Sequence, residues 1–270
     1  MTTPSQNEKR KTMSTRHEKI LDMVRQRGFV SVIDLAEHLK VSDMTVRRDL
    51  VQLDNDGLLM RTHGGAMTLE EESQVAVDIV EPDFSLRMSK NQAQKLKIAQ
   101  SARELVFPNA TIALDVGTTA SLLAKELSSL DNIKLFTNNL HAAIALAPAT
   151  YPVYLSGGQM RTPELSINGP LATQQIRNFR FDVAFIGVSG INPAGIFDYS
   201  IEDSETKRLY MENAQEVIVL CDSSKFGHIS VVHIGDLGKI SGIVTDKMPT
   251  GALLEALQAA NVNIICAEEH

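Results

Sequence analysis

The stretch VSDMTVRRDLVQLDNDGLLMRTHGG, residues 41–65, decides the fold of the N-terminal part of the chain. Val46, Leu50 and Leu53 recur at helical spacing and predict one buried stripe. The opposite face, or its borders, then carries Met44, Thr45, Arg47, Arg48, Val51 and Gln52. Ser42 is a suitable N-cap for this helix, because its hydroxyl can accept a backbone N–H of the first turn. The pattern predicts an amphipathic helix with two adjacent arginines on its exposed side.

A second short helix is predicted immediately upstream. Ser31 can cap it, and its apolar residues follow the spacing of one helical face: Val32, Leu35, Ala36 and Leu39. Only Lys40 and Val41 separate the two helices. Two amphipathic helices joined by so tight a turn form a helix-turn-helix, whose second helix fits the major groove of DNA.

The residues after Asp56-Gly57 predict a short β-wing. Leu58–Met67 alternates loosely, and the glycine pair 64–65 indicates a tight turn. Paired arginines alone could simply face water, but the complete order of helix, turn, helix and wing favours DNA. Arg47 and Arg48 can divide between a guanine edge and a phosphate, and the sequence leaves open which does which. We predict DNA contacts from Ser42, Met44, Thr45, Arg47, Arg48, Gln52, Arg61 and His63.

Composition limits the class of protein. A length of 270 residues with 43% hydrophobic and 22% charged residues is ordinary for a globular protein of two domains. The net charge of −7 is uneven: residues 1–67 carry 11 Lys and Arg against 9 Asp and Glu, whereas residues 68–270 carry 15 against 24. A positive head on an acidic body fits DNA binding confined to one element, since local potential governs association.

No apolar run approaches membrane-spanning length, and the N-terminus is polar where a secretory signal would be apolar. We therefore expect a cytoplasmic protein that does not bind membranes. Cys221 and Cys266 lie in apolar runs and are expected to be buried, reduced thiols outside any metal site.

The chain divides into four predicted segments. They are a disordered arm at 1–12, in which Met13 would be an alternative start, a winged helix-turn-helix at 13–68, a linker at 69–88 and a second domain at 89–270. The first helix should begin near Ser14 or Thr15 and turn these residues inward: Ile20, Met23 and Val24.

The second domain alternates helical segments with apolar β-like runs, after a Lys- and Gln-rich helix at about 89–106. The runs are 110–115, 132–137, 152–156, 182–188, 216–221, 230–234, 241–245 and 262–266. Short, nearly continuous apolar strands separated by helices are typical of a mainly parallel sheet covered on both faces. The sequence predicts an α/β fold.

Polar motifs follow several of these strands, where ligands of open α/β sheets bind. Asp115–Thr119 ends a strand and opens a helix, so Gly117, the threonine hydroxyls and free N–H groups can hold a phosphate. An ordinary Thr-capped helix is an equally good interpretation of this motif alone. Asn138-Asn139, Gly157-Gly158 and Arg161 follow later strands, although Asn pairs are also common in turns.

The segment TVRRDLVQLDNDGLLMRTHGG resembles the N-terminal signature of the DeoR family of bacterial transcriptional regulators. Further matches follow in the family's order: LDVGTT at 114–119, FTNN at 136–139, LSGGQMR at 155–161, FDVAFIGVSGI at 181–191 and CDSSKFG at 221–227. The resemblance implies a winged helix-turn-helix fused to a sugar-phosphate sensor related to ribose-5-phosphate isomerase and CoA-transferases. It also implies that Lys207 and Lys225 line the effector pocket. The predicted effector residues are Asp115, Gly117, Thr118, Thr119, Asn138, Gly157, Arg161, Lys207 and Lys225.

An isomerase-like enzyme is the main alternative. Such isomerases carry acids in an Asp-Gly-Ala-Asp-Glu type segment after the strand matching 182–188, whereas this chain has no acid between Asp182 and Asp198. We therefore expect binding without turnover, with no catalytic residue, cofactor or metal. Asn192 also departs from the Asp more usual among the regulators. The remaining nearby acids are expected to orient Lys207 or ligand hydroxyls: Glu202, Asp203 and Glu205.

Together these features predict a repressor of a carbohydrate-use operon that is released from double-stranded operator DNA by a phosphorylated sugar. We expect a homo-oligomer, because one winged helix buries little DNA surface and paired half-sites match a two-fold protein. A structural module whose winged helix binds protein is the second alternative.

Overall fold

The computed structural model describes residues 15–27, 29–61, 64–67, 77–78, 81–162 and 164–267. Contacts divide the chain into one unit ending at Val75 and another beginning at Ala76. The predicted arm at 1–12 and the predicted DNA contact His63 lie outside the described residues. Across the described ranges, we find no helix with both the length and the apolar character needed to span a membrane.

The first unit has the predicted helix-turn-helix. Its elements are α1 (Thr15–Arg27), β1 (Phe29–Ser31), α2 (Val32–Leu39), α3 (Asp43–Asn55), β2 (Met60–Arg61) and β3 (Gly65–Met67). Both predicted caps are present, since the Ser31 hydroxyl accepts the Asp34 N–H and the Ser42 hydroxyl accepts the Thr45 N–H. Lys40 adopts a left-handed φ of 54° and ends α2, which makes the tight turn possible.

The predicted buried stripes form the core of this unit. Val46, Leu50 and Leu53 of α3 pack with Leu35 of α2 in one apolar cluster, which also includes Ile20, Met23 and Val24 of α1. The strands form an antiparallel sheet in the order β1-β3-β2. The sequence did not predict β1, because its three residues are all buried and show no alternation.

The second unit is α/β, as predicted. Its first half comprises β4 (Val77–Asp78), α4 (Phe84–Ser89), α5 (Gln92–Arg103), β5 (Thr111–Leu114), α6 (Thr118–Leu127), β6 (Lys134–Thr137), α7 (Leu140–Ala145), β7 (Val153–Leu155), β8 (Gln159–Arg161), β9 (Ser166–Asn168) and α8 (Pro170–Ile176). Its second half comprises β10 (Phe181–Gly187), β11 (Gly190–Asn192), β12 (Gly195–Asp198), α9 (Ile201–Asn213), β13 (Ala214–Leu220), β14 (Ile229–Ser230), β15 (Val232–Gly235), β16 (Gly242–Thr245), α10 (Gly251–Ala259) and β17 (Asn263–Cys266).

A seven-stranded sheet in the order β17-β16-β13-β10-β5-β6-β7 forms the centre of the second unit, and its neighbouring strands are parallel. One apolar cluster joins Leu114 and Val183 to α5, α6 and α7, and a second joins Ala113 and Ala184 to α8, α9 and α10. Neighbouring residues of a strand therefore enter opposite clusters, so the sheet is covered on both faces, as its apolar strands require.

The structure corrects three expectations about the second unit. The apolar run 230–234 contributes to β15 in an antiparallel sheet with β11 and β12, because a short buried run does not distinguish between strand directions. The helix expected at about 89–106 is shorter, Gln92–Arg103, since Asn91 takes a left-handed φ of 54° and separates it from α4. The predicted linker 69–88 extends too far, because Glu81 and α4 belong to the second unit.

Candidate functional site

The exposed face of α3 carries the side chains predicted to contact DNA. Met44 is 61% exposed, and Arg47, Arg48 and Gln52 are also exposed. Within the described part of the chain, neither arginine makes an ion pair or a side-chain hydrogen bond. Thr45 is half-buried, and its hydroxyl lies 2.9 Å from that of Ser42. This face is therefore free to approach a partner.

The inner side of α3 carries a charged link that sequence reasoning missed. Asp49 is buried, and its carboxylate accepts hydrogen bonds from Arg16 at 2.5 and 2.9 Å and lies 3.2 Å from His17 Nε2. Burial favours the neutral acid, but Arg16 and His17 nevertheless hold the pKa of Asp49 below its ordinary value. The sequence did contain a signal for this link, because Asp49 lies between Val46 and Leu50 on the apolar stripe of α3. This link fixes α3 against α1.

In the wing, Arg61 is exposed and its backbone N–H donates to Asp54 Oδ1 at 3.1 Å. Gly65, expected near a tight turn, is the first residue of β3 and lies opposite Ser31 of β1. A Cβ atom there would lie 2.2 Å from the Val30 carbonyl oxygen, so glycine permits the close approach of β1 and β3.

A cavity opens in the second unit at the carboxyl ends of β5, β10 and β13, where the sequence predicted a ligand site. Five predicted effector residues line it: Gly117, Thr118, Thr119, Lys207 and Lys225. The other four do not: Asp115, Asn138, Gly157 and Arg161. Polar residues at the ends of strands distant in sequence thus line one cavity.

The start of α6 forms one wall of the cavity. Gly117 has a φ of 121°, which strongly favours glycine, and no side chain caps the helix. Thr118 and Thr119 are buried and line the cavity immediately after it. Backbone N–H groups at the start of a helix attract anions, because they lack intrahelical partners and lie at the positive end of the helix dipole.

Lys207 is part of a buried ion-pair network. Its Nζ donates to Asp115 Oδ2 and lies 3.0 Å from Asp198 Oδ2, while Asp115 Oδ2 also accepts the Gly187 N–H. Burial opposes the charge of Lys207, yet the neighbouring carboxylates hold its pKa well above the ordinary value. Burial likewise raises the pKa of Asp115 to about 6, against the effect of Lys207. Lys207 therefore presents a firmly held cation to the cavity.

Of the acids expected to orient Lys207 or ligand hydroxyls, Asp203 lines the cavity but has hydrogen-bond partners other than Lys207. It accepts hydrogen bonds from Arg161 Nε at 2.9 Å, Ser166 Oγ at 2.6 Å and Asn168 Nδ2 at 2.6 Å. Asp198, which sequence reasoning did not select, directly contacts Lys207 instead. The signal missed was an acid at the end of a short hairpin, β11–β12, that the pattern did not predict.

The remaining predicted residues serve the surrounding framework. The buried Asn138 amide is 3.4 Å from Asn168 Oδ1, and the Gly157 N–H donates to Gln175 Oε1 at 2.8 Å. Arg161 reaches the cavity only through Glu81 and Asp203, the lining acids that it binds.

Besides Lys207, four cations line the cavity, three of which sequence reasoning missed: Arg87, Lys90, Lys95 and Lys225. Lys95 is only 5% exposed. Burial lowers the pKa of Lys95 to about 8; Asp222 opposes this shift, and the other three cations add to it. The signal for Lys95 was its place on the apolar stripe of α5, with Ile98, Ala99 and Ala102. Repulsion among close cations makes this end of the cavity suited to an anion.

Comparisons with known proteins match both units. A family model described as the DeoR-like helix-turn-helix domain matches residues 16–72, and one described as the DeoR C terminal sensor domain matches residues 90–247. The glycerol-3-phosphate regulon repressor of Escherichia coli (strain K12) is 32% identical over 92% of this chain and 97% of its own. The putative aga operon transcriptional repressor of Escherichia coli O157:H7 is 33% identical over 99% of both chains.

Solved structures are similar to part of the chain. Ribose 5-phosphate isomerase A from Methanocaldococcus jannaschii is 21% identical, with a TM-score of 0.39 over 51% of this chain and 55% of its own. The translation initiation factor eIF-2B from Pyrococcus horikoshii OT3 is 14% identical, with a TM-score of 0.38 over 52% of this chain and 50% of its own.

Proposed function

We propose that this chain, which belongs to the DeoR family of transcriptional regulators, represses genes of carbohydrate use and that a phosphorylated sugar releases it from its operator. As a member of this family it is a DNA-binding regulator. Relatives named as repressors of the glycerol-3-phosphate regulon and the aga operon support the proposed sign of regulation and the class of target gene.

The observation that carries the effector proposal is the cation cluster beside the uncapped start of α6. Arg87, Lys90, Lys95 and Lys225 line the same cavity as Thr118. A phosphate group accepts hydrogen bonds from cations and helix N–H groups together, and its charge would relieve their mutual repulsion. Sugar hydroxyls could bond to the carboxylates elsewhere in the lining, such as Glu164 and Asp198. A phosphorylated polyol or sugar satisfies both parts of the cavity.

The exposed face of α3 supports binding to operator DNA in the major groove. Arg47 and Arg48 are suited to a guanine edge and a phosphate, with Met44 and Gln52 beside them. We propose a homo-oligomer, so that two such helices read paired half-sites. Coupling of about 1 to 3 kcal/mol between the effector and DNA sites would change operator affinity roughly 5- to 150-fold.

The test is an operator-binding titration with the purified full chain and a promoter fragment from its own gene neighbourhood. Glycerol 3-phosphate, ribose 5-phosphate and glucose 6-phosphate are added in turn, each beside its unphosphorylated counterpart. We expect one phosphate ester to weaken DNA binding 5- to 150-fold, and its counterpart to leave it unchanged. Equal DNA binding throughout, with no rise in melting temperature for any ester, would contradict the effector proposal.

The same preparation tests the isomerase alternative. We propose binding without turnover, so incubation with ribose 5-phosphate or glucose 6-phosphate should return the sugar unchanged. An isomerised product, formed in proportion to the protein added and absent from an Arg87→Ala preparation, would instead show an enzyme acting in this cavity.

A further inference from the structure

The first described residues of the second unit precede, in sequence, side chains that line the cavity. Val77 and Asp78 form β4, which pairs in parallel with β14, Ile229–Ser230. The residues just before β14 include the cavity-lining Lys225, and those soon after β4 include Glu81 and α4. We call residues 81–89 the entry segment. It contributes its own side chains, Glu81 and Arg87, to the wall of the cavity.

Arg161 holds the first end of the entry segment. Its guanidinium donates to both carboxylate oxygens of Glu81, from Nη1 to Oε2 at 2.7 Å and from Nη2 to Oε1 at 3.3 Å. The same guanidinium binds the buried Asp203. Glu81 is thus fixed to the body of the second unit by an arginine with two acidic partners.

Arg87 makes the second attachment. Its Nη2 donates to Glu164 and, at 3.2 Å, to Glu81 Oε1, while its Nε donates to the Pro82 carbonyl oxygen at 2.8 Å. Its backbone carbonyl oxygen also accepts a hydrogen bond from the Lys95 ammonium. One side chain therefore folds the entry segment onto itself and attaches it to Glu164, which lies 77 positions further along the chain.

Both partners of the Arg87–Glu164 pair have an atom that is still able to form a hydrogen bond with a ligand in the cavity. Glu164 is 2% exposed, and its Oε1 is buried without a hydrogen-bond partner among the described residues. Of the residues that the structure describes, none accepts a hydrogen bond from Arg87 Nη1. A buried carboxylate oxygen and a free guanidinium donor facing one cavity indicate a ligand that offers both an acceptor and a donor.

A phosphorylated sugar is such a ligand, since its phosphate accepts hydrogen bonds and its hydroxyls donate them. Arginine binds phosphate through two parallel hydrogen bonds. Burial raises the pKa of Glu164 to about 7, although Arg87 opposes this. Near neutral pH, Glu164 is therefore a weaker competitor for Arg87 than a phosphate dianion.

We infer that Arg87 is an effector-binding residue that changes partners when the cavity fills. Without ligand it pairs with Glu81 and Glu164 and keeps the entry segment docked. With ligand its guanidinium turns to the phosphate and Glu164 accepts a ligand hydroxyl. Glu81 then keeps only Arg161, the Pro82 carbonyl loses its Arg87 donor, and this end of the segment loosens. Because this segment continues into the chain leading to the DNA-binding unit, its loosening weakens the hold on paired half-sites. The inference rests on the proposed function.

The test measures hydrogen exchange of peptides covering residues 81–89, together with operator affinity, in the full chain. The probes are inorganic phosphate and glycerol 3-phosphate, each compared with potassium chloride at the same ionic strength. We expect glycerol 3-phosphate to speed exchange in this segment and to weaken operator binding at least fivefold. Inorganic phosphate, which lacks the hydroxyls for Glu164, should need a higher concentration for the same effect.

Two variants separate partner exchange from general damage. Arg87→Lys keeps the charge but loses the planar donor set, so exchange should be fast without probe and the operator response should fall below about twofold. Glu164→Gln keeps the shape but removes the competing charge, so the probe should act at a lower concentration. The matched control is Arg103→Lys, whose 2.9 Å pair with Glu104 lies outside the cavity lining; it should behave as the wild type.

If the probe weakens operator binding equally in the wild type and both variants, and exchange at 81–89 is constant, partner exchange by Arg87 is wrong while the effector proposal stands. If neither probe alters the melting temperature, the exchange or the operator affinity of the wild type, both proposals fail.

Discussion

At the scale of the residue, the arginines of the first unit divide into two kinds. Arg16 is bound to the buried Asp49 and fixes one helix against another. Arg47 and Arg48 stand exposed on α3, without a charged partner in the described part of the chain. Two unpaired cations on a small surface do not stabilise the folded unit. Removing either arginine should therefore affect DNA binding and leave the stability of the fold unchanged.

We predict that Arg48→Ala weakens operator binding while leaving the fold intact. Loss of a base-edge or phosphate contact should cost about 1 to 3 kcal/mol, or roughly 5- to 150-fold in affinity. The measurement is an anisotropy titration with operator and scrambled duplexes, alongside the melting temperature. Arg177→Ala, at another exposed arginine, in the second unit, is the control. Unaltered affinity together with retained specificity would remove Arg48 from the interface.

Lys95 gives the effector site a predictable pH dependence. Its pKa of about 8, lowered first by burial, means that it loses its charge between pH 7 and 9. A phosphate monoester is mainly dianionic over this range, since its second pKa is about 6. Anion binding favours protonated Lys95, so affinity for glycerol 3-phosphate should fall as the pH rises through about 8.

Calorimetric titrations at pH 7, 8 and 9 measure this effect. Lys95→Met retains a long buried side chain and should bind more weakly at pH 7, with a flatter pH profile. Lys125→Met, on the exposed side of α6, should keep the wild-type profile. A wild-type affinity that rises with pH would be incompatible with this role for Lys95.

At the scale of the element, the sequence predicted what depends on short-range pattern. The helices of the first unit followed from stripes such as Val46, Leu50 and Leu53, and the β5–α6 loop followed from the adjacent residues Asp115–Thr119. The hairpin β11–β12 did not, because its buried residues lack the alternation that distinguishes strands. The break at Asn91 was also missed, since a left-handed Asn inside a Lys- and Gln-rich segment leaves no mark in the apolar pattern.

We predict that Gly65→Ala unfolds the wing sheet of the first unit. The new Cβ would meet the Val30 carbonyl oxygen at 2.2 Å, so β1 and β3 must separate. Gly57→Ala is the matched control: its φ of 65° carries a cost of about 1 to 2 kcal/mol, but no atom lies within 4 Å of its added Cβ. Urea unfolding of both variants should show a clearly larger loss for Gly65→Ala. An equal loss of unfolding free energy in the two variants would mean that β1 and β3 can separate at little energetic cost.

The start of α6 allows a test of the phosphate loop as an element. Thr118→Val keeps the shape and removes one hydroxyl, which should cost about 1.5 to 3 kcal/mol of effector binding if that hydroxyl donates to a phosphate. Operator affinity without effector should be unchanged. Thr173→Val, in the first half of α8 and outside the cavity lining, is the control. A normal effector response in Thr118→Val would exclude this hydroxyl from the site.

At the scale of the whole molecule, the site depends on contacts between distant parts of the chain. The sequence identified the loop after β5 because its residues are contiguous, but the Arg87–Glu164 pair joins positions 77 apart. Neither residue carries a local signal, since Arg87 resembles a solvated cation in a linker. Charge distribution was easier to predict, because the counts over residues 1–67 and 68–270 already place positive charge in the first part and negative charge in the second.

That distribution predicts a strong and separable salt dependence of DNA binding. The first unit binds a polyanion while the chain as a whole has a net charge of −7, so affinity must come from a few local phosphate contacts. Each such contact contributes about 0.9 to the slope of log affinity against log salt concentration.

Arg61→Ala should therefore reduce the slope by about 1 for each DNA-bound subunit, and weaken operator and scrambled duplexes by similar factors. Arg48→Ala should also change the ratio between the two duplexes if it reads a base. Titrations between 50 and 200 mM potassium chloride, the range over which counterion release is large, measure both quantities. A slope near zero for the wild type would indicate that the exposed face of α3 binds a protein, and not DNA.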